Sequence, residues 1–382
     1  MNQPLIRGRD KLQVVMAGAF PPPVHGMAAV NAAVRDVLQR AGATPLVIDL
    51  AAPSLDRSLA ARLGRLPRVL GGLGRLAGRR GLRHATLYMS VSGGLGQAYE
   101  LAFILLARLR GMRLFLHHHS FAYLDRPGLL TRALVRAAGD DAAHVALSGG
   151  MAERLQTAYR ADRVMPVSNA VFFVMADTPA VVRTRLETLG FLGNISAEKG
   201  AFEFLDLMAA AGKSGLTLRA RLAGPFQDAA TEKAVRERLA SLPQVEYVGP
   251  QYGADKDAFY AGIDALIFPT RYVNEAEPVT VHEALSRGIP VIAYGRGCIP
   301  EIVGADCGLV IDPAEPFVPA ALAKLESWLA DPAAFEAASR AAAARFARTY
   351  DENEARWQAL LAELTGAVAA PEPGSATGGG AK

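Results

Sequence analysis

The chain has 382 residues, is 51% hydrophobic and carries a formal net charge of +4. This length and composition indicate a packed globular protein with room for two domains of ordinary size. No run of about eighteen uncharged apolar residues occurs, so we expect no membrane-spanning helix. Two cysteines, Cys298 and Cys307, exclude a disulfide framework, and the amino terminus lacks a signal-peptide layout. We therefore expect a cytoplasmic protein.

Strands and helices alternate along the first half of the chain. The apolar run at 12–20 predicts a buried strand, which a proline-rich loop and a helix at 27–38 follow. An apolar helix is predicted at 96–109. Further strands are predicted at 43–50, 84–92, 113–120, 144–148 and 164–171. Such alternation is typical of βαβ units and a parallel sheet.

The second half repeats this alternation without repeating the sequence. It contains a strand, loop and helix at 187–208 and helical patterns from 317 to about 364. Further strands are predicted at 218–226, 245–251, 263–268, 290–293 and 307–312. With a hinge at 176–185, we predict a leader at 1–11, a first domain at 12–178, a second domain at 179–340, a final helix at 341–365 and a disordered tail at 366–382.

Positive charge is concentrated in one segment of the first half. From Arg57 to Arg83 there are eight arginines and no acidic residue, and leucines interleave with the arginines. One interpretation is a solvated helix pair with a leucine core face. The other is contact with an anionic membrane surface, to which each basic residue contributes about 1 kcal/mol. The segment lacks aromatic residues, so we predict no nucleic-acid binding.

A spacing within this segment resembles a dinucleotide-binding fingerprint. Gly72, Gly74 and Ala77 match its letters. No predicted strand precedes them, and no acidic residue that could hold a ribose follows. We reject a dinucleotide site here.

The most informative part of the sequence runs from Phe268 to Ala293. A strand leads into a polar loop carrying Glu275, and Pro278 then opens a helix that contains Glu283. Exposed amides and the positive dipole end at such a helix start suit a phosphate. The two flanking carboxylates cannot favour the phosphate itself, but they can accept hydrogen bonds from sugar hydroxyls. The arrangement therefore indicates a nucleotide sugar as ligand.

This stretch resembles a known family. The spacing Glu275-x7-Glu283, followed by Ala-Leu-x-x-Gly-x-Pro-Val-Ile-Ala, is similar to the signature of retaining glycosyltransferases of family 4, which have the GT-B fold. The resemblance implies an α/β protein with two doubly wound, Rossmann-like domains facing a central cleft. It also implies a last helix that crosses back to the first domain, a nucleotide diphosphate sugar as donor, and neither a metal nor another cofactor.

The resemblance also implies roles for individual residues. The loop from Gly193 to Gly200 resembles the phosphate-binding loop of the family, and its Lys199 would meet the diphosphate. Asn194 stands where the family usually has arginine, which removes a permanent positive charge. The donor would be bound by Gly26, Asn194, Lys199, Glu275, Pro278, Val279, Thr280 and Glu283. Taken alone, Lys199 also fits a solvated loop, and Gly26 fits a tight turn.

Three consecutive histidines, His117, His118 and His119, end a predicted strand. Adjacent residues on one strand rarely supply three ligands to one ion, so we predict no metal site. By the resemblance, His119, with His117 as second choice, would lie beside the sugar, and the alternative is a structural histidine. The predicted catalytic residues are thus Glu275, His119 and Lys199.

We therefore predict a retaining, metal-independent glycosyltransferase that acts in polysaccharide or glycolipid assembly. The acceptor would be a sugar or a lipid-linked sugar. Peripheral contact with the inner membrane face through the segment from Arg57 to Arg83 stays an open alternative. Two other functions also stay open: a nucleotide-sugar epimerase of the same fold, and a non-catalytic nucleotide-sugar-binding partner, which Asn194 makes conceivable.

Overall fold

The computed structural model describes residues 13–23, 26–52, 64–172 and 180–366. Within these ranges the chain forms two six-stranded sheets whose neighbouring strands all run parallel. The predicted leader, the tail beyond Gly366 and the first part of the predicted hinge lie outside the described residues. No helix in the described part of the chain is both long and apolar enough to cross a bilayer.

The first domain is built on a sheet with the strand order β2-β1-β3-β4-β5-β6. Its strands are β1 (Val14–Gly18), β2 (Leu46–Asp49), β3 (Thr86–Val91), β4 (Arg113–His118), β5 (Ala143–Ala146) and β6 (Val164–Pro166). Its helices are α1 (Gly26–Arg40), α2 (Leu66–Gly78), α3 (Gln97–Leu109), α4 (Ala122–Asp125), α5 (Leu129–Ala138) and α6 (Gly149–Tyr159). The strand order reverses between β1 and β3, which is where doubly wound sheets open a crevice.

The second domain has the strand order β12-β11-β10-β7-β8-β9. Its strands are β7 (Thr188–Leu192), β8 (Arg219–Ala223), β9 (Val245–Gly249), β10 (Ala265–Phe268), β11 (Val291–Tyr294) and β12 (Gly308–Ile311). Its helices are α7 (Ala201–Lys213), α8 (Ala229–Leu239), α9 (Gly253–Ala261), α10 (Val279–Ser286), α11 (Ile299–Ile302), α12 (Phe317–Ala330) and α13 (Pro332–Thr365). Two doubly wound α/β domains were predicted, and the two parallel sheets confirm that prediction.

The central strands are buried along their whole length. Every residue of β3, β10 and β11 is buried, because helices cover both faces of each parallel sheet. This burial explains why these strands appear in the sequence as continuous apolar runs rather than as alternating patterns.

The carboxyl-terminal edges of the two sheets face each other. Ser120, which follows β4, contacts Asn274, which follows β10. Ser148, after β5, donates a hydrogen bond to Glu301, which lies in the short helix α11 after β11. Ligands of doubly wound sheets bind beyond the carboxyl ends of strands, so both domains present their binding edges to one shared cleft.

The predicted strand at 164–171 is shorter than expected. It ends at Pro166, and a 3₁₀ turn occupies Asn169–Phe172. The amide of Ser168 donates to the Asn353 side chain at 3.0 Å, and the amide of Asn169 donates to Glu277 at 2.5 Å. Because these two amides donate to side chains in other parts of the fold, they do not form the hydrogen bonds that would extend the strand.

The last helix, α13, belongs to both domains. Near its start, Phe335 and Ala338 pack in the core of the second domain. Near its end, Trp357, Leu360 and Leu364 pack in a core cluster of the first domain. The proposed boundary at 340/341 falls inside this continuous helix, whose carboxyl-terminal part lies on the first domain.

Helix α2 contains the spacing that resembled a dinucleotide fingerprint. Gly72 lies on its buried side, where an added Cβ would approach Ile48 Cγ2 to 2.6 Å and Phe103 Cζ to 3.0 Å. Gly74 faces open space, with nothing within 4 Å of an added Cβ. Gly72 therefore permits close helix packing, which is a structural role.

Gly72→Val should destabilise the protein, because its branched side chain would push α2 away from β2 and α3. We expect the free energy of unfolding to fall by about 1–3 kcal/mol. Urea denaturation measures this change. The matched control Gly74→Val, on the exposed side of the same helix, should change stability by no more than about 0.5 kcal/mol. Equal effects of the two substitutions would contradict the assigned packing.

Candidate functional site

Two loops that are distant in sequence meet at the start of α10. One follows β7 and carries Lys199, and the other follows β10 and carries Glu275. Lys199 Nζ lies 2.5 Å from Glu275 Oε2, and the hydroxyl of Thr270 donates to the same oxygen at 3.1 Å. Both of these contacts are made to Oε2, and the described residues show no hydrogen bond to Oε1. The structure thus brings together two of the three predicted catalytic residues.

The conformation of the lysine loop depends on Gly200. This residue has a φ of +84° at the amino-terminal cap of α7, a backbone conformation that favours glycine. An added Cβ would also lie 2.2 Å from the carbonyl oxygen of Pro269. Close contact between the two loops therefore requires glycine here. Lys199 lies over the Tyr272 ring at 4.8 Å, which further fixes its ammonium group.

Helix α10 begins at Val279, with Pro278 as its cap. Val279 and Thr280 lie in the first turn, where backbone amides have no partner within the helix. Such amides, together with the positive end of the helix dipole, are able to attract an anion. Pro278 was predicted as the first helical residue, but it lies one position before the helix.

Glu283 is buried on α10 and already has two partners. The hydroxyl of Tyr260 donates to its Oε2 at 2.8 Å, and Lys256 forms an ion pair with its Oε1. Burial and the charge of Glu283 raise the pKa of Tyr260 well above its ordinary value, so the phenol stays a donor. Lys256 could not be recognised from the sequence, because it lies on α9 outside any recognisable motif.

Asn194 is half-buried, and no described residue forms a hydrogen bond with its side chain. Arg271, in the loop after β10, does not replace the missing arginine. Its guanidinium donates to the carbonyl oxygen of Pro313 and to the hydroxyl of Tyr294, which anchors the loop instead. Gly26 begins α1, and an added Cβ there would meet nothing within 4 Å.

The histidines at the end of β4 point to different sides of the sheet. His117 and His119 share one face, with ring centroids 4.1 Å apart. His118 lies on the other face, where its Nδ1 is 2.8 Å from the Tyr123 hydroxyl and its Nε2 is 2.9 Å from His144. Burial holds the pKa values of His117 and His118 well below the usual range, so both rings are neutral.

These histidines are not gathered around one point. The described part of the chain contains no group of three or more His, Cys, Asp or Glu side chains that could hold a metal ion. His117 Nδ1 lies 2.5 Å from the hydroxyl of Tyr88, which occupies one of its ring nitrogens. His119 is the half-buried residue of the three. It is also the last of them along the chain, so it is the one next to the loop that follows β4.

A contact across the cleft joins the loop after β4, next to His119, to the loop after β10. Ser120 donates a hydrogen bond to the Asn274 side chain at 2.8 Å. An added Cβ at Gly93 would lie 2.0 Å from Asn274 Oδ1 and 2.6 Å from Ser120 Oγ, so glycine leaves room for this contact. His119 and Glu275 are the chain neighbours of the two bonded residues. The third predicted catalytic residue thus lies across the cleft from the other two.

Glu277, which lies in the same loop as Glu275 and had no predicted role, is buried between the domains. Its carboxylate accepts hydrogen bonds from the Ser168 hydroxyl at 2.7 Å and from the Asn169 amide at 2.5 Å. Nε2 of His282 lies 3.0 Å from the same carboxylate. A carboxylate two residues after Glu275 could be recognised in the sequence, but its partners in a distant segment could not. Glu277 therefore links the two domains two residues after Glu275 in the chain.

Glu100 is a further buried acidic residue that had no predicted role. It lies at the carboxyl edge of the first sheet. Its Oε1 accepts hydrogen bonds from the amide of Ser92 at 2.9 Å and from its hydroxyl at 2.5 Å. Its Oε2 has no hydrogen-bond partner among the described residues. Glu100, Gly18 and Ser90 line a cavity of about 10 Å³, enough for roughly one water. Burial raises the pKa of Glu100 to about 7.

The raised pKa of Glu100 predicts a pH dependence of stability. The carboxyl binds a proton more readily in the folded protein, so its contribution is full below pH 4.5 and is lost as the pH rises through about 7. Relative to Glu100→Gln, the wild type should lose on the order of 3 kcal/mol of unfolding free energy across this interval.

Urea denaturation at several pH values measures the difference between wild type and Glu100→Gln. The control Glu326→Gln, at an exposed position on α12, should leave the pH dependence unchanged. Parallel stability curves for wild type and Glu100→Gln would contradict the raised pKa.

Comparisons with known proteins agree with this architecture. Residues 180–348 match the model of the family described as glycosyl transferases group 1. Three similar structures, all 13–16% identical to this chain, cover nearly all of it, and the GT-B fold is thereby confirmed. No curated protein matches the chain by sequence.

The first of these structures is HepE from Anabaena in complex with UDP-glucose, with a TM-score of 0.68, 16% identity and coverage of 91% of this chain and 99% of that one. The second is sucrose-phosphate synthase from Thermosynechococcus elongatus, with a TM-score of 0.69, 16% identity and coverage of 93% and 100%. The third is a glycosyltransferase from Rickettsia africae, with a TM-score of 0.65, 13% identity and coverage of 92% and 98%. These similarities concern the fold, and the family match covers the second domain and part of the last helix.

Proposed function

We propose that this protein is a retaining, metal-independent glycosyltransferase that moves a sugar from a nucleotide diphosphate sugar to an acceptor hydroxyl. One observation carries the proposal: the Lys199–Glu275 ion pair lies at the amino end of α10, at the cleft between two Rossmann-like domains. The family match of the second domain supports the reaction class. The proposed setting is polysaccharide or glycolipid assembly in the cytoplasm.

The diphosphate of the donor would lie at the amino end of α10. The amides of Val279 and Thr280 offer hydrogen bonds, and the Lys199 ammonium offers a positive charge. As the glycosidic bond breaks, negative charge grows on the leaving diphosphate. Lys199 would then exchange part of its contact with Glu275 for the phosphate and stabilise that charge.

Two carboxylates would hold the hydroxyls of the donor. Glu283 is kept in place by Tyr260 and Lys256, and it would accept hydrogen bonds from the ribose. Glu275 would accept hydrogen bonds from the transferred sugar through Oε1. Its negative charge would also stabilise the oxocarbenium-like centre that develops there.

The acceptor would approach from the first domain. His119 lies on that side of the cleft, next to the Ser120–Asn274 contact. It would form a hydrogen bond with a hydroxyl of the sugar or the acceptor. In a reaction on the front face of the sugar, the leaving phosphate itself takes the acceptor proton, so no separate general base is needed. The contacts across the cleft would exclude water and limit donor hydrolysis.

The proposed function can be tested with a panel of nucleoside diphosphates and their sugars. A ligand that binds only the folded state raises apparent stability, so a UDP or GDP sugar should increase the melting temperature. Nucleotide release should then depend on an added sugar or lipid-linked sugar. NMR of the product should give the same anomeric configuration as the donor.

Each alternative function predicts a different result in this experiment. Turnover without acceptor dependence would point to an epimerase, and binding without turnover would point to a non-catalytic partner. Absence of both binding and turnover across the panel would overturn the proposed function.

Glu275→Gln tests the assignment of the central carboxylate. The amide keeps the shape of the side chain but removes the charge that stabilises the developing positive centre. We expect kcat to fall by about 100-fold or more. Donor affinity should change by less than about tenfold.

Steady-state kinetics and donor titration measure the two quantities separately. The control Glu232→Gln removes an exposed carboxylate on α8 that pairs with Arg236, and it should leave both quantities unchanged. Wild-type turnover in Glu275→Gln would remove this residue from the proposed site.

A further inference from the structure

Helices α2, α3 and α5 lie side by side on one face of the first sheet. Arg110, just after α3, donates hydrogen bonds to the carbonyl oxygens of Ala77 and Arg79 at the end of α2. Arg108, within α3, donates to the carbonyl oxygen of Ala138 at the end of α5 at 2.5 Å. The three helices therefore form one continuous layer whose outer side faces solvent.

Large apolar side chains are exposed on these three helices. Leu109 on α3 and Leu129 on α5 are 84% and 81% exposed, more than any other large apolar residue in the described part of the chain. Leu70 on α2 is 65% exposed. The leucines exposed on the three helices are Leu66, Leu70, Leu105, Leu109 and Leu129. Exposed apolar residues concentrated on one layer indicate a surface that is covered in use.

The same outer side carries arginines and lacks carboxylates. The only acidic residue on the three helices is Glu100, which is buried, and Asp140 and Asp141 follow α5 at the margin. The exposed arginines of α2, of the turn after it and of α5 are Arg68, Arg75, Arg79, Arg80, Arg83, Arg132 and Arg136. Among the described residues, no carboxylate forms an ion pair with any of these arginines.

Some surface arginines of the second domain differ from those of this layer in their ion pairing. Three of them form ion pairs: Arg219 with Glu187, Arg236 with Glu232, and Arg238 with Asp206. Within the described residues, none of the exposed arginines of the first-domain layer forms an ion pair with a carboxylate. The contrast within one chain indicates that the layer is adapted to an external anion.

We propose that this outer side, the leucine–arginine face, docks on an anionic lipid bilayer. Leucines can enter the boundary between headgroups and acyl chains while arginines remain at the anionic headgroups. A nucleic acid would use the charge but gain nothing from the exposed leucines. The structure extends the surface beyond the arginine-rich segment of the sequence, because Leu105, Leu109 and Leu129 lie on other helices.

The leucine–arginine face borders the cleft. Arg65, immediately before α2, donates to the carbonyl oxygen of Leu50 at 2.7 Å, and both residues line the small cavity next to Glu100. A bilayer on this face would thus lie beside the carboxyl edge of the first sheet. If the proposed glycosyl transfer holds, a lipid-linked acceptor could reach the cleft without leaving the membrane, and this consequence alone rests on the proposed function.

Cosedimentation of the full chain with lipid vesicles tests the docking face. Vesicles of phosphatidylcholine with about one-third phosphatidylglycerol should pellet the protein, and pure phosphatidylcholine vesicles should not. Each basic residue near an anionic surface contributes about fivefold to partitioning. Arg75→Gln/Arg79→Gln/Arg80→Gln should therefore weaken partitioning by about 100-fold. Leu70→Gln/Leu109→Gln should weaken it by at least about tenfold.

Matched controls separate a specific face from general charge. Arg219→Gln/Arg221→Gln/Arg238→Gln removes the same net charge from the second domain and should preserve partitioning within about threefold. Val181→Gln/Tyr252→Gln, at exposed apolar positions of the second domain, should do the same. Equal losses in the two arginine variants would overturn the proposal.

Unchanged binding of the leucine variant would also overturn the proposal, since it would leave only a polyanion-binding surface. Binding that is equal on neutral and anionic vesicles would do so too. The melting-temperature response to nucleotide sugars is measured in parallel. Failure of nucleotide binding with normal vesicle binding would reject the proposed function alone, and the converse would reject the docking face alone.

Discussion

The relative placement of the two domains depends on a carboxylate buried where they meet. A charge removed from water is tolerated only where hydrogen-bond donors surround it. Glu277 has Ser168 and Asn169 of the first domain on one side and His282 of its own domain on the other. These donors come from both domains, so the charge is satisfied only when the domains meet in this way. Asn274 and Glu275, in the same loop, then lie at the cleft.

The parts of the site that could be predicted are those whose residues lie close together within short stretches of sequence. The spacing from Glu275 to Glu283 reflects one loop and one helix start, and Lys199 lies in a glycine-bounded loop after a strand. Strand ends of parallel sheets collect at one edge, so the meeting of these loops followed from the predicted fold. The alternation of apolar runs with helical segments was equally local, and it predicted both sheets.

The parts that could not be predicted depend on pairs of residues far apart in sequence. Lys256 reaches Glu283 from a separate helix, and Ser168 reaches Glu277 across the domain boundary. A local sequence pattern does not reveal such distant partners. The premature end of β6 has the same origin, because amides that local sequence assigned to a strand serve distant side chains. The leucine–arginine face was visible only in part, since three of its leucines lie on helices that have no unusual charge.

Helix α13 joins the two domains a second time, in addition to the chain segment between them. Its first turns pack in one core and its last turns in the other, while Asn353 holds the turn after β6. Two connections at separate points leave the domains little freedom to twist about the line that joins them. The domains can therefore separate only along a restricted path. Separation along that path bends the long helix α13, which resists bending. Opening the cleft wider therefore requires α13 either to bend or to leave one of the two cores.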